Sequence, residues 1–221
     1  MIDAYVWTTP NGFKVLIALE ELELPYRTHW VDITKGDQQK PEYIAINPNS
    51  KIPAIVDSAP PSGGAASFGE AGLAADGSVR VFESGAVLIY LAEKAGRLLP
   101  ASGQARFDTL AWMFFNVGGP GPMFGQLGFF SKFAKEKVPM AIERYTKEAE
   151  RLLKVLDARL GQTKYLAGAE LSIADIINFT WANAGRTFLG LDYTPYPNLV
   201  RWLDELAARP AFAKALAMKP A

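Results

Sequence analysis

Cysteine is absent from this 221-residue chain, and histidine occurs once, as His29. Without cysteine there is no disulfide framework, no protein thiolate nucleophile and no Cys-x-x-Cys redox pair. With a single histidine, a zinc site of the usual kind and a Ser–His relay both lack their parts, so no metal is expected. His29 alternates with Thr28 and Trp30 in a strand-like stretch. A structural role is favoured for it, because a general base needs a nucleophile beside it. If thiol chemistry happens here, the ligand supplies the sulfur.

Net charge is also missing: 23 basic residues balance 23 acidic ones. That balance gives no reason to expect nucleic acid or a membrane surface as partner. No apolar run approaches the roughly 18 residues needed to span a bilayer. The opening MIDAYVWTTPNG lacks a basic region followed by an apolar stretch, so a cytoplasmic location is expected. What remains is an ordinary globular composition, 49% hydrophobic and 21% charged, long enough for one large domain or two small ones.

The first half alternates strand and helix signals. Residues 2–7 (IDAYVW) read as a strand, broken by Thr9-Pro10-Asn11-Gly12. Phe13, Leu16, Ile17 and Leu19 recur at helical spacing up to Leu22, and residues 26–33 read as a second strand after Pro25. Residues 38–46 form a weak helix interrupted by Pro41; a third strand starts near Ala54. Residues 58–78 are Gly, Ala, Ser and Pro throughout and read as a long mobile loop. A short strand over 79–82 and a helix over 84–94, ended at Gly96, close this half.

After Pro100 strand signals nearly vanish. Helices are predicted over 105–117, 139–160, from Ser172 onward, and over 197–209 and 211–218, with a break at Gly118-Gly119-Pro120. The pattern β–α–β–α–β–β–α followed by helices reads as two domains, 1–96 and 105–221, joined by a 97–104 linker.

Three places in the first half point to one ligand site. At Thr9-Pro10-Asn11-Gly12 a helix start offers backbone N–H groups to negative charge, with Thr9 and Asn11 as side-chain donors. The same residues read equally as a plain start, with Thr9 as N-cap and Pro10 first in the helix. In Asn47-Pro48-Asn49-Ser50-Lys51-Ile52-Pro53, a cis proline would offer the Ile52 backbone to an extended peptide. On the residues alone an ordinary trans proline is favoured. At Phe82-Glu83-Ser84-Gly85, Ser84 could hold a carboxylate and Glu83 an ammonium group, or Ser84 could be a simple N-cap. Together the three describe a site for a small zwitterionic peptide.

These blocks, with Gly118-Gly119-x-Gly121-Pro122-Met123, Ala141-Ile142-Glu143-Arg144-Tyr145 and Ser172-Ile173-Ala174-Asp175-Ile176, resemble the glutathione transferase superfamily over nearly the whole chain. Within it they most resemble the nu class, the bacterial branch related to the yeast nitrogen-regulating prion protein. The resemblance implies an α/β thioredoxin-like N-terminal domain and an all-α C-terminal domain, in a homodimer that uses glutathione as co-substrate. It implies that Pro53 is cis and that the Ile52 backbone pairs with the cysteinyl part of glutathione. Glu83 and Ser84 would hold the γ-glutamyl end, and Gln38 and Lys51 would lie along the rest. Thr9 and Asn11 would sit at the sulfur as the catalytic pair. Arg144 is a further implied contact, with an exposed ion pair to Glu148 as its alternative. Ser172 and Asp175 resemble the family's helix-capping pair.

Tyr5, inside the first strand, is expected in the core. The group Trp112, Phe114, Phe115, Phe129 and Phe130 is also expected in the core, with an apolar co-substrate pocket as the alternative. The function expected is glutathione-dependent reduction of disulfides by a transferase-type enzyme. Conjugation of glutathione to an electrophile, glutathione-dependent ether cleavage and a non-catalytic binding module are the competing readings. The physiological second substrate is not readable from motifs.

Overall fold

The computed structural model of the protein describes residues 1–60, 74 and 77–220. Most of the 58–78 stretch expected to be a mobile loop lies outside the described residues. By compactness the chain divides into one unit of Met1–Ala101 with Pro210–Ala221, and a second of Ser102–Arg209.

In the first unit, β1 (Ile2–Val6) leads through a turn into α1 (Pro10–Glu21), then β2 (Tyr26–Trp30). The weak helical stretch resolves into a 3-10 turn, Asp37–Gln39, and the short α2 (Pro41–Ile44), since Pro41 can start a helix but not continue one. There follow β3 (Ala54–Asp57), β4 (Val79–Phe82) and α3 (Ser84–Ala95). Among the described residues the four strands form one sheet in the order β2-β1-β3-β4. β1 runs parallel to β2 and antiparallel to β3, and β3 runs antiparallel to β4. The βαβ crossover with an antiparallel edge is the thioredoxin-like arrangement. The terminal helix α9 (Pro210–Ala217) packs on α1 in this same unit, where Lys214 pairs with Glu20 at 2.8 Å.

α1 is buried nearly all round, including Val15, Leu16, Ile17, Ala18 and Leu19. β1 alternates: Ile2, Ala4 and Val6 are buried, while Asp3 and Tyr5 are only partly so. Tyr5 is therefore half-buried, at the margin of the core, packed against the buried Val31, Tyr43 and Ala54. Its ring stacks on His29 at 4.6 Å between centroids, and His29 Nε2 meets Asp3 Oδ1 at 2.7 Å. The expectation failed because this face of the sheet is open at β2, whose Arg27 and His29 are exposed.

The second unit is helical: α4 (Gly103–Gly118), α5 (Pro120–Gly128), a π turn at Phe129–Phe133, α6 (Pro139–Leu160), α7 (Ile173–Ala184), a π turn at Gly185–Leu189 and α8 (Pro197–Ala207). Its core gathers Phe124, Leu152, Leu156, Ile176, Phe179 and Trp202. The Ser172–Asp175 capping box is formed at the start of α7. The aromatic group does not all go inside. α4 buries Thr109, Met113 and Asn116 and leaves Phe114 64% exposed, and Phe129, in the π turn after α5, is 51% exposed. Asn116 Nδ2 donates to Asn178 Oδ1 at 3.3 Å, so the buried side of α4 is partly polar, and Phe107 and Phe114 turn out.

Candidate functional site

Strand register alone brings the three suspected turns to one edge of the sheet. Tyr5, near the end of β1, pairs with Ala54 at the start of β3, and Ala54 pairs with Phe82 at the end of β4. The chain leaves β1 into Thr9–Gly12, enters β3 from Asn47–Pro53 and leaves β4 into Glu83–Ser84. Three segments far apart in sequence thus meet at the ends of three adjacent strands.

In the first turn, Thr9 is the N-cap of α1 and its Oγ1 accepts from Gly12 N–H at 3.2 Å. The plain reading of a capped helix start is therefore correct as geometry. It does not exhaust Thr9, because a capping hydroxyl uses a lone pair and keeps its hydrogen to donate. Gly12 is required by close approach: a Cβ there would lie 2.0 Å from the Trp7 carbonyl oxygen.

In the second turn, the Ile52–Pro53 peptide is cis, which corrects the trans reading of the residues alone. The preceding loop is held from below. Buried Asn47 donates to the Lys51 carbonyl at 2.6 Å, Tyr43 OH donates to the same oxygen at 2.6 Å, and Asn47 Oδ1 accepts from Asn49 N–H at 2.9 Å. The Lys51 side chain is exposed, and among the described residues the N–H and C=O of Ile52 have no partner. An extended ligand could pair with both by strand addition.

In the third turn, Glu83 and not Ser84 occupies the N-cap of α3. Glu83 holds φ at +69°, in the region that side chains avoid at a cost of about 1–3 kcal/mol. Ser84 becomes the first helical residue, which frees its hydroxyl from capping. Asn49 Nδ2 donates to Glu83 Oε1 at 3.4 Å, joining the second turn to the third. Lys14 joins the first turn to the third, donating to Asn11 Oδ1 at 2.9 Å and Ser84 Oγ at 3.4 Å.

Gln38 lies in the 3-10 turn after β2, and its Oε1 is buried with no hydrogen-bond partner among the described residues. Such an atom calls for a donor from elsewhere. Arg144 belongs to the second unit, on α6, in a groove of about 610 Å³ lined by Met123, Met140, Tyr145, Lys147 and Arg151. The suggested Arg144–Glu148 pair is not formed: Glu148 takes Arg151 at 2.7 Å, and Arg144 makes no hydrogen bond or ion pair among the described residues. Among the described residues no cluster of His, Asp or Glu could hold a metal ion, and no helix is long and apolar enough to cross a membrane.

The sequence assigned no role to Lys14, to Tyr43 or to Asn47 within its motif. A lysine immediately before Val15-Leu16-Ile17 on a helix start was the available signal for the first. Nothing local marks the other two, since their shared partner is a backbone carbonyl.

Two family models match, the N-terminal glutathione S-transferase domain over residues 8–94 and the C-terminal domain over 122–210. The chain is also 45% identical to the disulfide-bond oxidoreductase YfcG of Escherichia coli over 216 residues, covering 98% of this chain and 94% of that protein. It is a member of the glutathione S-transferase family. Among solved structures of that family, a glutathione transferase from Burkholderia graminis with two glutathione molecules bound per subunit superposes with a TM-score of 0.87. It is 41% identical, over 97% of this chain and 87% of that one. A Pseudomonas putida glutathione transferase with one glutathione disulfide per subunit gives 0.86 at 38% identity, over 99% and 92%. This glutathione S-transferase has no thiol of its own, so thiol chemistry at its site has to run on the ligand's sulfur.

Proposed function

We propose that this chain binds glutathione at the edge of the sheet in its first unit and reduces disulfides with it, as a nu-class disulfide-bond reductase. The observation that carries the reading is the meeting of three turns. Donors at Thr9 and Asn11, an unpaired backbone at Ile52 beside cis-Pro53, and the Glu83–Ser84 junction together match a zwitterionic peptide with a thiol at its middle. The names and bound ligands of the relatives support the same chemistry.

Thr9 O–H and the Asn11 amide donate to the glutathione sulfur and lower its pKa, as donors and a helix start do for a cysteine. Ile52 pairs with the cysteinyl backbone. Glu83 takes the ligand's ammonium, Ser84 its γ-glutamyl carboxylate, and Gln38 Oε1 and Lys51 lie along the remaining peptide. Arg144 is a further contact. The thiolate attacks one sulfur of the disulfide, forming a mixed disulfide and releasing the other sulfur as thiolate. A second glutathione thiolate then displaces the substrate's remaining half, leaving glutathione disulfide. The protein contributes position and a lowered thiol pKa.

The same reading makes the protein a homodimer of the cytoplasm, where a reduced glutathione pool sustains such chemistry. An exposed face of α4 bearing Phe107, Phe114 and Val117 supports the dimer. The functional division into 1–96 and 105–221 belongs to it too, with α9 returning to α1. A second reading, conjugation to an apolar electrophile or ether cleavage, is favoured by the exposed Phe133–Phe188 stack in the second unit.

The test is reduction of 2-hydroxyethyl disulfide by glutathione, coupled to glutathione reductase, beside conjugation of a chloronitrobenzene. Strong reduction with feeble conjugation is the expected result. Conjugation alone would move the protein to the second reading. Retention on immobilised glutathione with neither activity would make it a binding module.

A further inference from the structure

Lys14 lies near the start of α1 and is 2% exposed, immediately before the buried Val15, Leu16 and Ile17. A buried ammonium is costly to a fold unless its hydrogen bonds are used. It donates to Asn11, proposed for the ligand's sulfur, and to Ser84, proposed for its γ-glutamyl carboxylate, the latter across 70 residues of sequence.

We infer that Lys14 is a positioning residue that holds Asn11 and Ser84 by their oxygens, so that both present hydrogens to bound glutathione. This rests on the glutathione reading above. The argument is one of donor polarity. An ammonium has three donors and no acceptor. Since Asn11 Oδ1 accepts from the ammonium, the Asn11 NH₂ group is set on the side away from Lys14. Rotating the amide would set donor against donor. A thiolate needs that NH₂ and is repelled by the amide oxygen, so Lys14 selects the orientation that stabilises sulfur as an anion. Ser84 is polarised in the same way: its Oγ accepts from Lys14, which commits its single hydrogen to an outside acceptor such as a carboxylate.

Glu83 is the charged group that acts on Lys14, from the β4–α3 junction. Burial pulls the Lys14 ammonium down to about 7, and Glu83 works in the other direction. An anionic ligand beside Asn11 and Ser84 adds to the effect of Glu83 and favours the ammonium. Binding glutathione and locking the two donors therefore reinforce each other.

The experiment compares wild type with Lys14→Met and Lys14→Gln, with circular dichroism to establish folding. It reads glutathione binding by calorimetry and the pH midpoint of thiolate absorbance on bound glutathione. For Lys14→Met the midpoint rises by about one pH unit and binding weakens about tenfold or more. Adding Asn11→Ala to Lys14→Met costs far less than it does in wild type, because the two act as one unit. Lys14→Gln keeps the volume and a hydrogen bond but not the donor-only character, so it folds, binds, and also shows a raised midpoint. A folded Lys14→Met with unchanged midpoint and affinity overturns the inference, and so does an unchanged midpoint in Lys14→Gln. Loss of fold in both variants would make Lys14 a purely structural residue, which overturns it equally. If wild type itself binds no glutathione, the glutathione reading fails, and the inference falls with it.

Discussion

The Tyr90 hydroxyl donates to the Asp57 carboxylate at 2.6 Å, at a point where Asp57 is fully buried. Lys94 closes on the same carboxylate at 2.7 Å, and Asp57 also accepts from the Ala59 N–H at 2.9 Å. Burial alone would raise the Asp57 pKa, but Lys94, Tyr90 and the Ala59 N–H hold it below its ordinary 3.8. The end of β3 is thereby tied to α3.

Asp57→Ala is expected to cost about 3–5 kcal/mol, because it removes a buried carboxylate that Tyr90, Lys94 and the Ala59 N–H all bond. The pH dependence follows from the lowered pKa. The stability this group contributes is full above 3.8 and is lost as pH falls through the lower folded value. Urea midpoints between pH 2.5 and 6 should fall more steeply toward acid for wild type than for Asp57→Ala.

Asn11→Ala should lower disulfide reduction by about a hundredfold, the usual loss when one donor to a developing anion is removed. Asn11→Ala also removes an acceptor from the buried Lys14 ammonium, so stability should fall by about 1–3 kcal/mol, well short of the loss in turnover if the fold persists. Turnover measured beside a thermal melt checks both. Intact activity would remove Asn11 from the sulfur.

Lys14 sets a pH slope of its own in the ligand-free protein. Its folded value of about 7 lies below its ordinary 10.5. Between those two values the unfolded chain carries a proton that the folded protein has released, so stability rises with pH across that window. The penalty is greatest below pH 7. Lys14→Met should gain on wild type at pH 6.5 and lose that advantage by pH 9.5, read as the difference in urea midpoints.

Asp175 gathers four donors at the start of α7: Leu166 N–H at 2.9 Å, Trp202 Nε1–H at 3.1 Å, and the N–H and hydroxyl of Ser172, each at 3.0 Å. Burial raises its pKa to about 6 in spite of them. Asp175→Asn would turn an amide NH₂ on these donors and should cost about 2–4 kcal/mol. Between 3.8 and about 6 the folded protein holds a proton that the unfolded chain has lost, so this group's contribution declines as pH rises through that window. The variant should lack that decline, and the fluorescence of Trp202 offers a local readout.

Elements were legible where their cause is local. Residues 139–160 and 79–82 have the observed bounds of α6 and β4 because periodicity, Pro139 and the turn before Val79 act within a few residues. The capping box at Ser172 and Asp175 was readable for the same reason. Among site residues, the turns were visible as turns. What failed was the assignment of faces: Phe114 read as core by type, yet α4 buries Asn116 against Asn178 of α7 instead. Likewise Ser84 is a good N-cap by type, but the turn out of β4 places Glu83 there with a positive φ.

The sequence by itself determined the order of strands and helices, the break in character after residue 100, and the absence of any protein thiol. These follow from residue type and from spacing along the chain. The tertiary structure alone decided that three turns share one edge of the sheet and that Lys14 is buried between Asn11 and Ser84. The physical reason is distance along the chain. Each of these depends on partners brought by strand register, 34 residues apart for Asn49 and Glu83 and 70 for Lys14 and Ser84, and no local pattern encodes which of them will meet.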